Sequence, residues 1–311
     1  MKFKIGTRGS QLSLAQTNWV INELQKINPD YEFEIVTIKT KGDTDARPLF
    51  TINQKGIFEK EVDRAVIENK VDFAVHSMKD VPSRLPEGLV LACVPKREDV
   101  NDIFISSDNS TLETIKSGAV IGTSSLRRAV QIIRKRKDVT VKPVRGNIET
   151  RVKKVVDGNY DAVVLAQAGI SRLGLDVTYS KLPLEDFFPS PGQGALAIVA
   201  SEKDLDTIEM LKKIEDENSR VEVETERELS NSVESGCRFP IGAYAHANND
   251  SITLRVAAFS VDGSKSLFVE QNGRKDNPKS LGKQVADELL KKGVKELATN
   301  WRERVEEWNK S

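Results

Sequence analysis

The chain has 311 residues, long enough for two or three domains. Its 47 basic and 47 acidic residues cancel to a formal charge of +0, which argues against a general nucleic-acid or membrane-surface binder. Hydrophobic content of 38% and charged content of 30% fit a soluble globular protein, and apolar runs such as Ala195–Ala200 are far too short to span a bilayer.

Met1–Gly6 lacks a long apolar segment, so no signal peptide is expected. Lys2–Thr7 predicts a strand, and Ser10–Ile27 a helix with Ser10 as its N-cap. A strand over Tyr31–Thr40, a helix over Gly56–Asn69 and a buried strand over Val71–His76 continue a βαβ rhythm, which implies a mostly parallel sheet with helices on its faces. The rhythm repeats: Ile5-Gly6-Thr7 has a counterpart in Ile121-Gly122-Thr123, and Val71–His76 in Tyr160–Leu165. Two similar α/β domains facing each other form a cleft, a usual place for a ligand. Helices follow over Leu205–Ile214 and Ser219–Val233, then strands over Ile241–Ala247, Ile252–Phe259 and Ser266–Glu270. Asp262-Gly263 and Asn272-Gly273 mark turns, and helices over Ser280–Lys292 and Val294–Trp308 close the chain. The fold class is therefore α/β: one domain from residues 1–97 with 196–216, a second from 98–195, and a smaller α+β domain from 217–311.

The two cysteines lack metal spacing and fit a reducing, cytoplasmic setting. Cys93 lies in an apolar run and reads as a buried strand residue; together with Cys237, His76 and His246 it offers no paired zinc spacing. Cys237 is different. Gly236 precedes it and Pro240-Ile241-Gly242 follows, so it sits on a turn, where a thiol is displayed for reactivity or by accident.

Basic residues are concentrated between Ile121 and Lys154, where eleven face only Asp138 and Glu149. Lys135–Lys137 and Lys153–Lys154 read as a solvated face. Arg127 and Arg128 follow Gly122-Thr123-Ser124-Ser125, a strand-to-helix turn whose backbone N–H groups and hydroxyls favour anions. Arg145-Gly146-Asn147 with Arg151, and Arg8-Gly9-Ser10, repeat the device, so the ligand carries many anionic groups. Asp80, in His76-Ser77-Met78-Lys79-Asp80-Val81-Pro82, is a carboxylate at the carboxyl end of a strand. It reads either as a group that moves protons and stabilises positive charge, or as part of an ordinary Asp-Val-Pro turn. Pro189–Ala195 reads as a loop or hinge.

In order along the chain, Ile5–Ser10 with Leu14-Ala15-Gln16, Lys55–Phe58, His76–Pro82, Gly122–Arg128, Arg145-Gly146-Asn147 with Arg151, Arg172-Leu173-Gly174, Gly192–Ala195 and Gly236-Cys237 with Pro240-Ile241-Gly242 resemble the hydroxymethylbilane synthase, or porphobilinogen deaminase, family. The resemblance runs nearly end to end; each motif alone is weak, and the ordered series is specific.

It implies two periplasmic-binding-protein-like domains and a third that carries the cofactor cysteine. It also implies a transferase that joins four porphobilinogen molecules head to tail, releases ammonia and yields linear hydroxymethylbilane for tetrapyrrole and haem synthesis. The implied cofactor is dipyrromethane, a primer tethered by a thioether to Cys237. By motif match, Lys79, Thr123, Ser124, Ser125, Arg127, Arg128, Arg145, Gly146 and Gln193 hold the cofactor. Arg8, Ser10, Gln16, Lys55, Arg145, Asn147, Arg151 and Arg172 hold substrate and growing chain, and Asp80 is the catalyst. The chemistry fits, since a primer and product chain with about a dozen carboxylates suits repeated guanidinium contacts. A monomer is the family expectation.

Three other readings compete on residues alone. An anion sensor or solute receptor matches the doubled α/β pattern and leaves Cys237 unexplained. A cysteine hydrolase needs a base near the thiol, and only His76 and His246 are available. Nucleic-acid binding through the basic cluster lacks interleaved aromatics.

Overall fold

The structure, a computed structural model, describes residues 1–40, 59–233, 240–297, 299 and 303. The first sheet begins with β1 (Lys2–Thr7), α1 (Gln11–Ile27) and β2 (Glu32–Thr37). Ser10 caps α1 as expected, its hydroxyl accepting from the N–H of Ser13 at 3.2 Å. Then come α2 (Lys60–Ile67), β3 (Phe73–Ser77), a 3₁₀ turn over Met78–Asp80, and β4 (Leu89–Cys93). The predicted start of α2 at Gly56 lies outside the described residues.

The second sheet takes β5 (Asp102–Ser106), β6 (Val120–Gly122), α3 (Leu126–Lys135), β7 (Thr140–Lys142), α4 (Ile148–Val156), β8 (Ala162–Ala166), α5 (Gln167–Leu173) and β9 (Ser180–Lys181). The chain then returns to the first sheet as β10 (Leu196–Ser201). Strand order is β2-β1-β3-β10-β4 in one sheet and β7-β6-β8-β5-β9 in the other. In each, three parallel strands are followed by one reversed strand, β10 or β5, which pairs antiparallel on both sides and leaves the edge strand running with the first three. The repeat read from short sequence echoes is therefore a repeat of topology. Each sheet borrows one inner strand that the chain reaches by crossing over: β5 after β4, and β10 after β9.

Continuous apolar strands make both cores. Ile5, Phe73 and Ile198 are fully buried in the first, and Ile121, Ala162 and Ile103 in the second. Cys93 is buried in β4 as expected, and burial pushes its thiol far up from the ordinary range.

The remaining chain forms α6 (Leu205–Lys212), α7 (Glu217–Val233), an antiparallel sheet of β11 (Ile241–Asn248), β12 (Ser251–Phe259) and β13 (Ser266–Arg274), then α8 (Pro278–Lys291) and α9 (Val294–Leu297). The inward residues Leu254, Val256, Leu229, Val285 and Leu289 pack between sheet and helices, each fully buried and stabilising by about 1.5–3 kcal/mol. A Cβ at Gly282 would lie 2.5 Å from the Thr225 carbonyl, so glycine allows α8 to approach α7 closely. One turn reading is corrected. Asn272-Gly273 lies inside β13, paired with Thr253 and Ile252, because the ladder extends past the dipeptide. Asp262-Gly263 does turn the chain between β12 and β13, with Gly263 at φ +71°. Asn249 at φ +50° turns it between β11 and β12. Of the last predicted helix, Val294–Leu297 is helical, and most of the remainder lies outside the described residues.

Candidate active site

The carboxyl ends of the parallel strands bring the motif loops together. Lys79 and Asp80 leave β3; Thr123, Ser124 and Ser125 leave β6; Arg145, Gly146 and Asn147 follow β7; Arg8 follows β1. The two sheets meet here, since Lys79 Nζ lies 3.5 Å from the side-chain oxygen of Gln193 in the returning crossover.

Asp102, at the start of β5, is the hub under this meeting point. Its Oδ2 accepts from Arg127 at 2.8 Å, and its Oδ1 from Arg128 Nε at 3.0 Å and Nη2 at 2.7 Å. Gln193 donates to the same Oδ1 at 2.8 Å and to the Val100 carbonyl at 2.7 Å. Burial alone would raise the Asp102 carboxyl, but Arg127 and then Arg128 hold it well below the ordinary range. Arg127 also donates to the Phe188 carbonyl, and Arg128 to the Val164 carbonyl at 3.2 Å and the Gln193 oxygen at 3.3 Å. Arg127 and Arg128 are thus buried donors that lock helix α3 to both crossovers.

The hydroxyl residues of the loop shape the backbone. Thr123 Oγ1 accepts from the Ser125 N–H at 3.2 Å, Ser124 donates to the Val144 carbonyl, and Ser125 caps α3. Asn147 caps α4 by accepting from the Thr150 N–H at 2.8 Å, and Gly146 has φ +115°, where a Cβ would strike Thr150. Ser10 is used as the α1 cap, and buried Gln16 donates to Ser77 at 2.8 Å, fixing α1 to the end of β3.

The other cations crowd one another. Although Lys79 keeps an exposed surface, desolvation by the surrounding protein, then Arg128, lower its ammonium to about 8, with Asp80 and Asp102 opposing. Burial, then Arg128 and Arg145, lower Arg151 to about 10. Arg172, donating to the Gly194 carbonyl at 2.6 Å, is also lowered to about 10 by burial. Cations held close enough to depress one another are a preformed anion site, since a bound anion relieves the repulsion.

Lys55 and Cys237 lie outside the described residues. The chain after Cys237 enters at buried Pro240 and β11, where the Ala243 N–H donates to the Pro189 carbonyl at 2.8 Å. His76 is buried with Nε2 3.0 Å from Asp63 Oδ1, and His246 is exposed on β11.

Two partners of the motif residues escaped the sequence reading. Asp102 is charged at the edge of an apolar strand, a detectable signal, yet nothing in sequence ties it to Arg127 and Arg128. Fully buried Glu226 accepts from Arg97 at 2.8 and 2.9 Å, from the Gly192 N–H at 2.6 Å and from the Ala245 N–H at 2.7 Å. It ties the returning crossover to the C-terminal sheet.

A family model for "Porphobilinogen deaminase, dipyromethane cofactor binding domain" matches residues 3–209, and one for "Porphobilinogen deaminase, C-terminal domain" matches residues 220–291. The chain belongs to the porphobilinogen deaminase family. It is 68% identical over 311 residues, covering 100% of both chains, to a probable porphobilinogen deaminase of Nitrosopumilus maritimus (strain SCM1). It is 43% identical to the porphobilinogen deaminase of Brevibacillus brevis, covering 94% of this chain and 95% of that one. Among solved structures, it aligns with the substrate binding domain of a putative molybdenum ABC transporter from Clostridium difficile at 13% identity and TM-score 0.42, over 68% of this chain and 93% of that one. Porphobilinogen deaminase is a transferase of tetrapyrrole biosynthesis that uses porphobilinogen as substrate and dipyrromethane as cofactor. The donor set fits that cofactor: mutually depressed cations beside a glycine turn suit a ligand rich in carboxylates. No helix among the described residues is long and apolar enough to cross a membrane.

Proposed function

We propose that the chain carries out the family reaction where the carboxyl ends of its two parallel sheets meet, with Asp80 as the catalytic carboxylate and Cys237 as the cofactor's anchor. The observation that carries this reading is a chain of mutually interacting groups, in which Lys79 feels both Asp80 and Arg128 and Arg151 feels Arg128 and Arg145. Bound dipyrromethane supplies a pyrrole primer bearing carboxylate side chains.

Lys79, Arg128 and Gln193 hold the primer's end of the site, with Thr123, Ser124, Ser125, Arg127, Arg145 and Gly146 fixing or completing it. Arg8, Arg145, Arg151 and Arg172 hold the incoming pyrrole and the growing chain. Ser10 and Asn147 fix the helix starts beside them, Gln16 fixes α1 to the end of β3, and Lys55 belongs to the same substrate set. Asp80 accepts hydrogen bonds from pyrrole N–H groups and stabilises the positive charge that develops as ammonia leaves. It then helps carry away the proton lost when the carbon–carbon bond forms.

The same reading takes residues 1–97 with 196–216, 98–195 and 217–311 as three working units, supported by the three sheets. It takes the protein as a cytoplasmic monomer without a nucleic-acid partner. The near-equality of basic and acidic residues supports the last point.

Intact-mass measurement and peptide mapping of protein from a porphobilinogen-producing host are expected to find one dipyrromethane on the Cys237 peptide. An unmodified cysteine in protein from such a host overturns the anchor. Asp80→Asn is expected to keep the cofactor and lose most turnover; near-normal turnover removes Asp80 from its role.

A further inference from the structure

Glu59 immediately precedes helix α2 and is only 2% exposed. Its side chain makes no capping hydrogen bond to the start of the helix. Its Oε2 is buried without a hydrogen-bond partner. The helix is held instead by the Glu59 carbonyl, which accepts from the Asp63 N–H at 2.7 Å. Capping therefore does not explain the carboxyl, and among the described residues no motif side chain is hydrogen-bonded to its Oε2.

The groups that act on Glu59 come from three other places. Asp80 in the turn after β3, Asp63 one turn along α2 and Arg8 in the loop after β1 all act on its charge. Asp63 is engaged by buried His76 at 3.0 Å. Burial, then Asp80 and Asp63, raise the Glu59 carboxyl from 4.5 to about 9, against the pull of Arg8. An ionised carboxylate with an unpartnered, buried oxygen in this position would face two like charges, so it keeps its proton.

We propose that Glu59 is a positioning residue for the reaction, a buried carboxyl near Asp80 that lets Asp80 present its carboxylate to the substrate without a like-charged neighbour. The proposal rests on the role given to Asp80. Glu59 acts through that residue and does not touch the reacting atoms. Ionising Glu59 places a second negative charge near Asp80 and pulls Arg8 away from the substrate side.

The sign for stability follows from the raised carboxyl. Glu59 contributes its full share below pH 4.5, and that share is lost as pH rises through about 9. Replacing it by glutamine removes this dependence.

The test is the pH dependence of kcat for the cofactor-loaded wild type, Glu59→Gln and Asp80→Asn. Lys79 titrates in all three, so its contribution cancels in the comparison. The fall in kcat between about pH 7 and about pH 10 is expected to be at least about threefold smaller in Glu59→Gln than in wild type, with KM at about pH 7 unchanged. Superimposable profiles with Asp80→Asn inactive overturn the role of Glu59 and leave that of Asp80 standing. An active Asp80→Asn overturns the reading on which both depend. If Glu59→Gln does not fold, the carboxyl ¹³C resonance of Glu59 in the unsubstituted protein decides. Titration near pH 9 supports the proposal, and titration in the ordinary glutamate range overturns it.

Discussion

Asp102 Oδ1 receives both Nε and Nη2 of Arg128, at 3.0 and 2.7 Å, in a buried site. Neither residue's value lies in the attraction alone. Two buried charges in good geometry roughly offset their own desolvation, whereas one left alone does not. Asp102→Asn removes the charge that both Arg127 and Arg128 depend on, so it is expected to cost about 3–5 kcal/mol. Urea unfolding measures this, and a change below about 1 kcal/mol would show that another group takes over.

Lys79 is expected to be unusually nucleophilic. Its ammonium, lowered to about 8, is half neutral near that pH, while Lys116, Lys135 and Lys181 are raised by their ion pairs with Asp161, Asp186 and Asp99. Below about pH 8 the proton returns and the advantage disappears. Competitive acetylation at pH 8 should label the Lys79 peptide well ahead of those three, and cofactor loading should protect it. Equal labelling contradicts the crowding of cations around it.

Arg145→Ala removes one of the two guanidiniums that depress Arg151. Its loss is expected to slow chain elongation by about tenfold to a hundredfold, as for a charged hydrogen bond. Cofactor attachment at Cys237 should be affected less. Single-turnover analysis separates the two: accumulation of early enzyme–substrate complexes is the expected pattern, and normal rates for every complex refute the assignment.

Gly192 has φ +75°, and a Cβ there would lie 2.7 Å from Met78 Cγ and 3.2 Å from the Lys79 N–H nitrogen. Gly192→Ala therefore pushes on the turn that carries Lys79 and Asp80. A cost of about 1–3 kcal/mol in stability is expected. A fall in kcat larger than the change in KM should accompany it. Unchanged kcat would show that the turn absorbs the shift.

The motif loops were legible because their chemistry sits in consecutive residues at strand ends. Gly122–Arg128 or His76–Pro82 can be read locally, and periodicity locates the strands before them. Asp102 was not legible as the partner of Arg127 and Arg128, because side-chain pairing across a fold leaves no spacing in the sequence. Glu59 was missed for a related reason: Lys55–Phe58 reads as a motif, and nothing in the next residue announces burial. Asn272-Gly273 misled because ladder pairing with Thr253 and Ile252 outweighs a turn-forming dipeptide when a partner strand is long enough. The doubling of the α/β unit was visible only as two short echoes. Its full extent is in the strand order, which sequence similarity need not preserve.

The exchanged strands set an order on synthesis. When Leu89–Cys93 leaves the ribosome, its place in the first sheet is at the far side of β10, so it has no strand to join. That partner, Leu196–Ser201, emerges only after every strand of the second sheet has been made. The second unit can thus close around β5 while the first remains open at one edge, with the apolar run of β4 waiting. A nascent chain truncated between the two crossovers should be bound by chaperones through that edge, and should release them once residues beyond Ser201 are added.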